Sequence, residues 1–163
     1  MPTFRLLPAL GLFLAVLLTA CDPNQVYEKN IDFDKYTWSV RQKPAFIFDI
    51  ADTTQRYDVY FNIRNASSYG YYNLYVKHTL TDPANKQVSQ LLHQMLLMDP
   101  QTGEPRGKGT GDIYDHQFLA LPNQKFQRSG TYKIVLEQYM RQDQLPGLMA
   151  VGVRVAQAKL AAP

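Results

Sequence analysis

Cys21 is the residue of this chain whose chemistry its neighbours specify. It follows Leu18-Thr19-Ala20, a lipobox pattern with leucine three residues before the thiol and small residues between. A thiol in that setting takes a diacylglycerol, and two or three acyl chains in all give stable anchoring at about 0.8 kcal/mol per buried methylene. Upstream, Arg5 supplies a cationic start, and Leu6 to Leu18 is an apolar run interrupted by Pro8 and Gly11. That run falls short of the about 20 residues that span a bilayer as a helix, and it suits the core of a signal peptide. Cys21 is also the only cysteine, so neither a disulfide nor a cysteine metal site is available.

Other chemistry has weaker support. His78, His93 and His116 sit in separate segments and form no HxH or HExxH spacing, so no metal is expected. There is no Gly-x-Ser-x-Gly elbow, and the expectation is a protein that is not an enzyme and needs no cofactor. Gly107-Lys108-Gly109-Thr110-Gly111 lacks the P-loop spacing and is followed by strand-like residues, so it reads as a hairpin connection. The net charge of +3 includes Arg5, and the remaining Lys and Arg are scattered singly, which gives no nucleic-acid footprint. The one surface with recognition character is an outward row of Tyr60, Asn62 and Arg64 beside Asn73, Tyr75 and Lys77. Flat rings supply contact area there, while amides and cationic groups fix orientation, as a protein- or carbohydrate-binding face requires.

These residues must be held by strands. Eleven tyrosines and eight phenylalanines favour sheet over helix. Tyr36 to Val40 and Ala45 to Ile50 read as the first strands. In Tyr57 to Asn65, apolar Tyr57, Val59, Phe61 and Ile63 alternate with Asp58, Tyr60, Asn62 and Arg64. Tyr71 to Leu80 repeats the pattern with Tyr72, Leu74 and Val76 inward, and the turn-like Ala66 to Gly70 suggests that the two runs pair as a hairpin. Residues 88–97 fit either an amphipathic helix or a strand, and the surrounding strands favour the strand. Asp99 to Gly111 reads as loop. Ile113 to Leu121, Thr131 to Met140 and Met149 to Val155 complete a set of about eight strands without βαβ alternation. That set predicts an all-β antiparallel sandwich, jelly-roll-like, after a lipoprotein signal peptide. Residues 1–20 are then the signal peptide, 21–35 a lipidated tether, 36–156 the sandwich domain and 157–163 a C-terminal tail.

A series of short segments carries a resemblance. Cys21-Asp22-Pro23-Asn24, Trp38, Asp52 to Tyr57, Asn62 to Asn65, Tyr72 to Tyr75, Gly107 to Ile113, Ser129 to Tyr132, Gln138 to Arg141 and Val151 to Val155 occur in order. Together they resemble the gliding-motility lipoprotein family GldH of the Bacteroidota, from the cleavage site to Val155. The resemblance implies a cell-envelope lipoprotein required with its partners for gliding and associated with type IX secretion, anchored to the outer membrane through Cys21. It implies no catalytic residues. The Ala-rich tail and the leucine-rich stretch 91 to 97 depart from the family pattern. The competing reading from the residues alone is a lipid-anchored carbohydrate-binding sandwich module.

Overall fold

Strands whose alternate residues are apolar can bury one face only against a second sheet, and two sheets do so here. The computed structural model describes residues 22–158; Cys21 and the signal peptide lie outside them, as does most of the C-terminal tail. Eleven strands are present among the described residues: β1 (Gln25–Asp32), β2 (Thr37–Ser39), β3 (Ala45–Ile50), β4 (Tyr57–Ala66), β5 (Asn73–Thr81), β6 (Gln87–Leu96), β7 (Lys108–Thr110), β8 (Ile113–Gln124), β9 (Gly130–Gln138), β10 (Gln144–Pro146) and β11 (Leu148–Gln157). A short 3-10 turn, Asp34–Tyr36, precedes β2.

The first sheet has the order β1-β11-β4-β8-β7 and the second β3-β9-β5-β6, while β10 and β2 form a separate ribbon. With the three-residue strands set aside, the first, eighth, third and sixth strands face the second, seventh, fourth and fifth. That is the jelly-roll arrangement, and all its pairings are antiparallel.

Val59, Phe61, Leu74, Val76, Ile134 and Leu136, expected to be buried, are fully so. Phe46, Phe48 and Ile50 of β3 also point inward, as do Val151, Val153 and Val155 of β11. Aromatic rings fill one end of the core, where Phe126 lies 4.6 Å from Tyr132 and 5.5 Å from Tyr57, centroid to centroid. At the other end Trp38 stacks on Phe33 at 5.0 Å and donates its indole N–H to the Gln42 carbonyl. Most of residues 88–97 form strand β6, Gln87–Leu96, because the stretch pairs along β5, with Met95 buried and His93 half-buried while Leu91 of the same row stays exposed.

Four expectations are corrected. β4 and β5 do not pair: β4 lies between β11 and β8, and β5 between β9 and β6. The connection after Ala66 crosses from one sheet to the other, so its turn-like residues make a corner of the jelly roll rather than a hairpin. Residues 25–32, read as tether, form edge strand β1, with Tyr27 and Ile31 packed on the core. Lys108–Thr110, read as loop, pairs with the start of β8 as β7. Tyr72, expected to face inward, precedes β5 and is exposed, whereas Asn73, expected to face outward, is only 8% exposed.

Candidate functional site

Strand direction gives the sandwich two functional ends. β1 runs from Gln25, opposite Ala156, to Asp32, opposite Ala150, and β4 begins at Tyr57 opposite Gln157. The chain therefore enters at the same end at which β11 finishes. Loops 51–56, 82–86 and 125–129 share that end. Cys21 itself lies outside the described residues, but its neighbour Asp22 forms an ion pair with Arg154 on β11. A lipid on Cys21 would thus hold this end of the domain at the bilayer without an intervening flexible arm.

The six residues expected to form one recognition face divide between the two sheets. Tyr60, Asn62 and Arg64 of β4 lie on the outer face of the first sheet. Tyr75 and Lys77 of β5, with Asn73 buried at its start, belong to the second. The reason is the absent β4–β5 pairing: outward residues of strands in opposed sheets point away from each other.

The β4 trio is occupied by intramolecular partners. Asn62 donates to Glu28 at 2.8 Å and Asn30 at 3.2 Å, and accepts from Gln117 at 3.0 Å. Arg64 grips Asp115 through two hydrogen bonds, of 2.7 and 3.2 Å. The Arg154 guanidinium lies over the Tyr60 ring, 5.8 Å from its centroid. Gly152 makes this amide row possible, because a Cβ at that position would collide with the Asn30 side chain. Asn62 and Arg64 line a groove of about 920 Å³ that is polar and largely self-satisfied.

The outer face of the second sheet differs. A cleft of about 640 Å³ gathers Tyr71, Tyr72, Tyr75 and Tyr139, with Leu92 and Arg141 beside them. Tyr71, Tyr72, Tyr139 and Leu92 are all exposed, Tyr139 to 57%. Lys77 sits 5.1 Å from the Tyr139 ring centroid and 3.3 Å from Glu137, which also binds Lys43 at 2.7 Å. Lys43 and then Lys77 hold the Glu137 carboxyl below its ordinary range. The cleft lies where β5 starts and β9 ends, at the end of the sandwich remote from Cys21. Its members come from segments about sixty residues apart, so only pairing of β5 with β9 assembles them. The sequence signals were the outward position of Tyr75 on β5 and that of Tyr139 in the run that continues β9.

Two of the three histidines meet. Nδ1 of His78 lies 2.8 Å from Nε2 of His93, and Nε2 of His78 lies 3.0 Å from the Ser89 hydroxyl. The order resembles nucleophile, base and orienter, but the orienter is a second imidazole that cannot balance an imidazolium as a carboxylate would. Burial first, and the neighbouring His93 second, push His78 down to about 4, and burial also lowers His93. His116 is separate, 2.9 Å from Asn65 and stacked on Phe118, and burial lowers it too. The pair is a neutral polar inclusion in the core beneath Phe61.

Its consequence is pH-dependent stability. A folded-state pKa below the unfolded value means that the unfolded chain binds the proton more readily, so stability is full above about pH 6.5 and falls towards pH 4. Each proton contributes a slope of about 1.4 kcal/mol per pH unit in that window. Urea unfolding at a series of pH values is expected to show this loss, with a shallower slope for His78→Leu; an unchanged slope in the variant would remove His78 as its source.

Known proteins resemble this chain over most of its length. The GldH lipoprotein family description matches residues 25–155. A gliding motility lipoprotein GldH homolog from Christiangramia forsetii is 31% identical over 88% of this chain and 91% of its own. Gliding motility lipoprotein GldH of Flavobacterium johnsoniae is 27% identical over 90% of this chain and 93% of its own. A solved chain of infectious bursal disease virus aligns at 15% identity over 88% of this chain and 37% of its own, with a TM-score of 0.31, too low to carry an argument. Start and end of the family match coincide with β1 and β11, the two strands that close the first sheet, and the chain belongs to the GldH lipoprotein family.

Proposed function

We propose that this protein is a lipid-anchored cell-envelope component of the gliding motility machinery associated with type IX secretion, and that it acts by protein–protein contacts. The observation that carries the reading is the tyrosine cleft at the end of the domain remote from Cys21. Strands of ten residues separate the two ends by about 30 Å at roughly 3.3 Å per residue, so an anchored domain standing on its lipid end presents the cleft away from the bilayer. Exposed tyrosines with an arginine and a leucine have the composition of interface hot spots, and large aromatics commonly dominate interface energetics. The relatives named for gliding motility support the process. The outer membrane is the proposed location.

The test is the double change Tyr72→Ala with Tyr139→Ala in the lipidated protein, expressed in a deletion strain. Both side chains are exposed, so protein level and unfolding should stay close to wild type. Recovery of envelope partners and colony spreading are expected to fall at least tenfold. Full spreading at normal protein level would move the working surface elsewhere. Loss of binding to purified envelope polysaccharide, with partner recovery intact, would favour the carbohydrate-binding reading instead.

A further inference from the structure

β6 ends its sheet, and among the described residues its only neighbouring strand is β5. An edge strand carries unpaired backbone N–H and C=O groups, and folded proteins usually protect such edges with charge, proline, bulges or short length. The other edges here follow that rule. β1 carries Glu28, Lys29 and Asp32, β3 is short, follows Pro44 and carries Asp49, and β7 has three residues. β6 has a bulge at Val88, but beyond it Ser89 to Leu96 has none of these devices and contains no charge, proline or glycine over eight residues. Val88, Leu91 and Leu92 on it are 49%, 54% and 51% exposed.

The edge of β8 runs beside it. Phe61 of β4 touches both His78 of β5 and His93 of β6, while Tyr27 of β1 touches Phe48 of β3. β1 therefore opposes β3, and the β6 and β8 edges fall on the same side of the sandwich. Beyond Asp115, β8 has no strand partner on that side, but Pro122 and bulges between Leu119 and Gln124 protect that stretch, so β6 is the edge left open. Loop residues approach only the far end of β6, where the Arg106 N–H donates to the Leu97 carbonyl and Arg106 and Gly107 share a groove with Gln94 and Leu96.

We propose that the free edge of β6, Ser89 to Met95, is a strand-addition site that takes an extended, uncharged segment of another envelope protein. Backbone pairing chemistry calls for a strand, and the charge-free edge selects against a charged one. A second copy of this chain fits poorly. Antiparallel pairing of β6 with itself would place the second Cys21 end opposite the first, about 30 Å along the strands, so two copies anchored upright in one membrane could not both engage. The proposal rests on the reading of this protein as a contact component, but its central residue, Leu91, does not line the tyrosine cleft.

The test uses the full lipidated protein in phospholipid vesicles and, as probe, a short fluorescent strand of alternating threonine and valine. Fluorescence anisotropy is expected to report binding that weakens at least tenfold with Leu91→Lys, and equally when alternate amides of the probe are N-methylated. Ile47→Lys, on the β3 edge, should leave binding unchanged, and Tyr72→Ala with Tyr139→Ala should do the same, which separates this site from the cleft. No binding, or binding indifferent to N-methylation or to Leu91→Lys, overturns the proposal. So does a disulfide-linked pair formed by Leu91→Cys protein on a vesicle, which would assign the edge to a second copy.

Discussion

Phe61→Ala should lower the stability of the domain by about 3–5 kcal/mol, the usual cost of removing a fully buried phenylalanine. The ring sits between the sheets, 5.1 Å from His93 and 5.9 Å from His78, centroid to centroid. Its removal leaves both the lost transfer energy and a cavity bordered by two imidazoles that have no spare partner for it. Its neighbour gives the contrast. Asn62 lies on the outer face and exchanges hydrogen bonds with Glu28, Asn30 and Gln117 near solvent, so Asn62→Ala should cost about 1 kcal/mol. Urea unfolding of both variants above pH 7 measures the difference without the histidine contribution. A Phe61→Ala cost no larger than that of Asn62→Ala would mean that β4 does not face the second sheet.

Replacing Cys21 with alanine should remove lipidation altogether. The precursor should keep its signal peptide, take up no palmitate analogue, and leave colony spreading at the level of a deletion strain. Each acyl chain contributes about 0.8 kcal/mol per buried methylene, and a single chain gives only marginal binding, so no partial anchoring is expected once the thiol is gone. Asp22 pairs with Arg154, so the domain is fixed to its anchor at close range, and loss of the lipid removes both position and orientation. Equal labelling of the variant and wild type would overturn the assignment of Cys21. Wild-type spreading by unlabelled protein would show that tethering plays no part in the mechanism.

The fold was legible wherever one strand's own residues sufficed. β3 was read with its observed boundaries, and β4, β9 and β11 within a residue or two, because alternation of side chains on a strand is a local property. The leucine-rich stretch is ambiguous because Val88, Leu91, Leu92, Met95 and Leu96 suit a helix while Leu91, His93, Met95 and Leu97 suit a strand, and pairing with β5 decides it. β1 was missed because an edge strand with charges on its outer side resembles a tether; only Tyr27 and Ile31 marked it.

The site was less legible than the fold. Asn73 and Tyr75 line the tyrosine cleft and Lys77 lies against Tyr139, yet Tyr60, Asn62 and Arg64 lie on the opposite sheet, and the expected face lacks Tyr71, Tyr72 and Tyr139. His78 and His93, fifteen residues apart, were read as unrelated until the register of β5 and β6 brought them to 2.8 Å.

By itself the sequence pointed to lipid attachment at Cys21 and determined the class of fold and which side of most strands is buried. Each of these depends on residues near one another in the chain: a cleavage motif, an apolar period of two, a turn. Tertiary structure decided which strands are neighbours, and with them the opposition of lipid end and tyrosine cleft, the division of the expected face and the unprotected edge of β6. Local alternation says that a strand must cover a face but not which sheet covers it. In a jelly roll most successive strands switch sheets, so adjacency in the chain does not become adjacency on a surface.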